Sequence, residues 1–133
     1  MTAPPGTSIE ARLYDARGED REVDLLRNPP RRVRDDQLLW IDVVGRDPAA
    51  LRSIAAVAGI GPRTVELLGD ARNRPLLRRH DTSLHVGLGS AEPGPDEKIV
   101  VIGLDLVAAP NLVVTVRDGP VGAFERFRDE IDG

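Results

Sequence analysis

Residues 99–116, IVVIGLDLVAAPNLVVTV, form the most apolar stretch of the chain, and any fold must bury most of them. The stretch is long enough to raise the question of a membrane span. Asp105, Pro110 and Asn111 interrupt it, and β-branched residues dominate the rest. A spanning helix would have to hide the aspartate in hydrocarbon and lose a backbone hydrogen bond at the proline. Two strands joined at Ala109-Pro110-Asn111 satisfy the same residues, so the run predicts two buried strands and no span.

The segments on either side predict what covers those strands. Residues 8–15, SIEARLYD, alternate Ile9, Ala11 and Leu13 with polar positions, the period of a half-exposed strand. REVDLL (21–26) pairs with it across the Arg17-Gly18-Glu19-Asp20 turn, and RNPPRRVRDD (27–36) is a connector whose arginines are answered by Asp35 and Asp36. LLWIDVV (38–44) reads as a strand covered on both faces. Asp47 as cap, Pro48 at the first helical position and Gly59 as stop then bound a helix. Its inward stripe is Leu51, Ile54, Ala55 and Ala58. A second short helix starts at Pro62 with Val65 and Leu68 facing in. RPLLRRH (74–80) and TSLHVGLGS (82–90) follow as strands around a turn at Asp81-Thr82, and AEPGPDE (91–97) is a loop by composition. Strands over 98–108 and 111–116 lead to a helix from near Pro120 with Phe124, Phe127 and Ile131 on one face. The expected fold is α/β, with about six to seven strands in a mixed, partly antiparallel sheet. The expected organisation is a flexible lead over residues 1–7 and one domain over 8–133.

Several function classes drop out. The chain has 133 residues, enough for one domain, and no cysteine, which removes disulfides, thiolate metal sites and thiol nucleophiles. A net charge of −4 and a pI near 5.2 argue against a nucleic-acid partner. The start, MTAPPGTSIEARLYD, lacks the basic-then-apolar pattern of a secretory signal. GIGPRTVE contains two glycines before a helix but no Gly-Lys-Ser/Thr, and no Gly-x-Ser-x-Gly elbow occurs. His80 and His85 read as surface or turn histidines, since zinc needs three or four ligands. Asp105 is expected to make strand-end hydrogen bonds. No catalytic constellation emerges, so no enzyme activity is expected. Asp70 is left over: a carboxylate at a helix C-terminus faces the negative end of the backbone dipole, a small local cost that a turn residue capping ARNR accounts for, with a binding role as the lesser reading.

Taken in order, several stretches resemble the N-terminal cytoplasmic domain of the CorA family of magnesium and related divalent-cation transporters. LLWIDVVGRD resembles that family's Trp-Ile/Val-Asp-Leu strand. LRSIAAVAGIGPRTVELLGDARNRPLLRRHDTSLHVGL is similar to its helical segment with Leu-Glu-Asp, followed by Arg-Pro-Lys. NLVVTVRDGPVGAFERFRDEI resembles Asn-Phe-Leu-Val-Thr-Val and the helix that leads to a stalk. The resemblance implies an α/β/α sandwich, truncated here before the stalk. It implies homopentameric assembly of the full-length protein on the cytoplasmic side of the cell membrane, reached only through C-terminal helices this chain lacks. It places Asp70 in an inter-subunit regulatory site for Mg2+ or another divalent cation. The acid that precedes Asp70 in the family motif is Gly69 here, so magnesium binding by the isolated domain is expected to be weak or absent. The implied function is regulation and assembly of a transporter; the alternative is a free-standing α/β adaptor that binds a protein partner.

Overall fold

The computed structural model describes residues 7–70 and 75–132, the side chains at 128, 131 and 132 excepted. The corner ARNR and the expected inward position of Ile131 therefore lie outside the described residues. Seven strands form one sheet: β1 (Ser8–Asp15), β2 (Arg21–Val23), β3 (Gln37–Val44), β4 (Leu76–His80), β5 (Ser83–Pro93), β6 (Ile99–Ala109) and β7 (Leu112–Arg117). Three helices accompany them: α1 (Pro48–Ala58), α2 (Pro62–Leu68) and α3 (Gly122–Asp132). The strand order is β2-β1-β3-β7-β6-β5-β4, and β3–β7 is its one parallel pair.

The apolar run is two strands, as expected, but the first residues of β6 are not buried: Ile99 and Val101 are 74% and 72% exposed, because that end of the strand pairs only with the hairpin arm of β5. β6 and β7 pair antiparallel from Leu104↔Arg117 to Ala109↔Leu112. Asn111 turns the chain at φ 61 after Pro110, which suits the second central position of a type II turn. Its side-chain amide donates to the carbonyls of Arg34, Asp35 and Gln37, and so pins the connector ahead of β3. β5 corrects the expected loop: it runs on to Pro93 opposite Ile99, because Asp96 and Glu97 take positive φ and close a hairpin turn there. β2 is shorter than REVDLL, since the chain turns after Val23 and drops Leu25 into the core.

Pleating sorts the residues of the central strands onto two faces. Leu39, Ile41 and Val43 of β3 join Val114 and Val116 of β7 and Val107 of β6 on the face that α1 and α2 cover through Leu51, Ile54 and Leu68. The opposite face carries Trp40, against which Phe124 and Phe127 of α3 pack edge-on with centroids 5.5 Å away. The result is three layers, α/β/α. α3 starts at Gly122, later than the proline suggested, because Val121 is buried and the Gly122 amide donates to Glu92 of β5 at 2.7 Å. Beyond α3 the same face stays open: Leu77, Leu84 and Leu88 are 76%, 40% and 44% exposed.

The α1 boundaries are as the residues dictate. Asp47 accepts from the Ala50 amide at 3.0 Å, and Gly59 closes the helix at φ 73. Asp47→Ala is expected to destabilise the domain by about 1 kcal/mol, read from urea unfolding midpoints at unchanged slope.

Candidate functional site

Asp70 stands exposed just beyond α2, where the Gly69 and Asp70 amides donate to the carbonyls of Val65 and Leu67. It lies on the rim of a groove of 770 Å³ between α1 and α2. Leu51, Ala55, Ile60 and Val65 line the groove with apolar surface, and Arg52 and Glu66 line it with charge. Glu66, in α2, lines the same groove as Asp70. Glu66 also pairs with Arg63 at 3.1 Å. Among the described residues no group of three or more potential ligands is placed to hold a metal ion.

A larger cluster of charge lies beneath α2, and it overturns two expectations. His80 is exposed, but His85 is 2% exposed, with Nε2 within 2.5 Å of an Asp105 oxygen. Asp105 is 3% exposed and also accepts from Arg46 Nη1 at 2.9 Å. It is a buried acid in an ion network, where strand-end hydrogen bonding was expected. The register explains both residues. Gly87 stands opposite Asp105 and Gly89 opposite Gly103, so a trough without side chains leaves room for the guanidinium. Arg46 leaves the end of β3 and donates through Nε to Asp118 at 2.7 Å and through Nη1 to the Leu68 carbonyl at 2.7 Å. Burial works against its charge, yet the hydrogen bonds to Asp118 and Asp105 outweigh that and raise its pKa above the ordinary arginine value.

The α3 face holds a second buried network. Trp40 Nε1 donates to Thr115 Oγ1 at 3.0 Å, and Thr115 donates to Asp42 Oδ1 at 2.7 Å. Arg117 donates to both Asp42 oxygens and to the Gly119 carbonyl. These bonds to Asp42, which exceed the opposing effect of burial, hold Arg117 charged, with its pKa raised.

A mixed seven-stranded sheet with two short helices on one face and an amphipathic helix on the other defines the class: an α/β/α domain. The chain belongs to the CorA-like Mg2+ transporter protein family, whose family model matches residues 35–133. That family is one of transporters and not an enzyme class. The chain is similar to the full-length CmaX protein (21% identity, TM-score 0.76, covering 95% of this chain and 39% of that one). It is also similar to the complete CorA magnesium transporter of Methanocaldococcus jannaschii (17% identity, TM-score 0.68, 93% and 36%). A third likeness is to the ZntB cytoplasmic domain of Vibrio parahaemolyticus (12% identity, TM-score 0.69, 91% and 48%). At these identities the likeness establishes the fold. The chain thus spans from about a third to about half of the solved chains it matches. No curated protein matches it at a significant level. Among the described residues no helix is long and apolar enough to cross a membrane.

Proposed function

We propose that this chain is the cytoplasmic regulatory and assembly domain of a CorA-like transporter of Mg2+ or another divalent cation. It contributes to cation sensing and gating between the subunits of a homopentamer, and conduction belongs to parts of the protein outside these residues. The family match over residues 35–133 carries this reading. The exposed leucines on the open sheet face support it, since a domain working inside a larger protein needs apolar surface for further segments.

Asp70 supplies the mechanism. Magnesium keeps most of its water and is held by one or two carboxylates, so Asp70, with Glu66 lining the same groove, forms part of a site that a neighbouring subunit completes. Facing acids repel when bare and are bridged when the ion binds. The ion therefore favours one subunit arrangement over another by its differential affinity for the two.

In assembled full-length subunits, Asp70→Ala is expected to abolish closure by millimolar Mg2+, measured as current against internal Mg2+. Closure unchanged from wild type overturns the sensing role. Calorimetry on the 133-residue chain is expected to find only weak Mg2+ binding. Submicromolar, stoichiometric binding there would mean that one chain suffices and that the shared-site mechanism is wrong. The thermal stability of the Asp70→Ala chain is expected to stay within about 0.5 kcal/mol of wild type, since the residue is exposed and off the core.

A further inference from the structure

Arg46 spans three elements with one side chain. Its acceptors are the Leu68 carbonyl at the last residue of α2, Asp105 in the middle of β6, and Asp118 just past the end of β7. The carbonyls at a helix C-terminus have no partner within the helix, and at Leu68 the partner is a guanidinium whose side chain is only 9% exposed. Two residues beyond Leu68 comes Asp70. Three residues beyond Asp118 comes Val121, which is buried and leads into α3. The backbone that carries Asp70 and the backbone that starts α3 are therefore tied through a single planar fork.

The surroundings are fitted to that fork. Gly45, at φ 103, turns the chain so that Arg46 points back under α2. A side chain at Gly103 would collide with the Asp118 carboxylate that Arg46 bonds. Lysine carries the same charge but a single nitrogen, which lacks the fixed fork geometry that reaches three acceptors at once.

We propose that Arg46 is a positioning residue for the turn that carries Asp70, and that it couples this turn to the root of α3. The positioning half stands on geometry alone; the coupling half rests on the reading of Asp70 as a cation ligand. A cation drawn to Asp70 pulls on the turn at residues 68–70. Arg46 passes that displacement to Asp118, and so to the helix that continues the chain. The coupling has physical content only as a bias on one shared element, and that element is the guanidinium fork.

Amide hydrogen exchange on the 133-residue chain tests the first half. In Arg46→Lys the Gly69 and Asp70 amides are expected to exchange roughly tenfold faster or more, while those inside α1 keep their wild-type rates. A uniform rise across α1 and α2, or no rise, overturns the positioning role. The second half is tested without any cation. Asp70→Asn is expected to shift the Asp118 and Gly119 amide resonances in wild type and to leave them in place in the Arg46→Lys background. Shifts of equal size in both backgrounds overturn the coupling. Gly103→Ala is the second variant, should Arg46→Lys not fold: it displaces Asp118 without removing a charge, and it is expected to lose the transmitted shift while Gly69 and Asp70 stay protected. Transmission that survives Gly103→Ala overturns the coupling as well. Failure of Asp70→Ala to alter channel closure would remove the sensing role and leave the exchange result standing.

Discussion

Arg117→Ala is expected to destabilise the domain by about 3–5 kcal/mol, a fall in Tm of roughly 10–20 °C for a chain of this size. Asp42 is 4% exposed and Arg117 8% exposed, and the pair is closed by a 2.8 Å bond between Arg117 Nη2 and Asp42 Oδ2. Removing the guanidinium takes its countercharge from a carboxylate buried under α3, to which Thr115 Oγ1 still donates. It also releases the Gly119 carbonyl and uncovers the ring of Phe124, whose centroid lies 5.7 Å from the guanidinium carbon. A buried ion pair is weak evidence for net stability, so most of the expected loss is the cost of the orphaned charge. The double variant Arg117→Met/Asp42→Leu separates the two contributions. It is expected to be markedly more stable than Arg117→Ala in guanidinium unfolding. A single variant costing under about 1 kcal/mol, or a double variant worse than the single, would contradict a desolvated pair.

The signals that were legible in the residues are the local ones. Asp47, Pro48 and Gly59 mark α1 because capping is decided by a few adjacent dihedrals and one side-chain oxygen. The alternation of β1 and the two-sided apolarity of β3 predict strands because a period of two is a property of the segment itself. The exposure of Asp70 belongs to the same group: an acid at a helix end seldom has reason to be buried. The His85–Asp105–Arg46 cluster was not legible, because its partners are 20 and 59 residues apart along the chain. In β5 the leucines at 84 and 88 make the more apolar face by composition, yet that face is the open one. The face with His85, Gly87 and Gly89 turns toward α2 because the register with β6 puts Asp105 and Val107 there. A strand's burial is set by what packs on it, and paired polar groups pack as tightly as leucine when every charge has a partner.

Asp105→Ala tests how much of the domain depends on that unforeseen cluster. Asp105 ties Arg46 to His85, and the Nδ1 of His85 has no hydrogen-bond partner among the described residues. Alanine would take from Nε2 its partner too, in an imidazole that is 2% exposed. It would also leave Arg46 held by Asp118 and the Leu68 carbonyl. A cost of about 3–5 kcal/mol is expected, the range for breaking a buried charged pair from one side. Asp105→Asn keeps the shape and an acceptor for the guanidinium but removes the charge, so its cost should be clearly smaller, near the 1–3 kcal/mol of a perturbed buried hydrogen bond. The order of the two variants in guanidinium unfolding is the decisive quantity. If asparagine and alanine cost the same, the negative charge is what the cluster requires. If alanine costs nothing, the buried carboxylate adds nothing to stability, and Asp118 and the Leu68 carbonyl suffice to hold Arg46 in place.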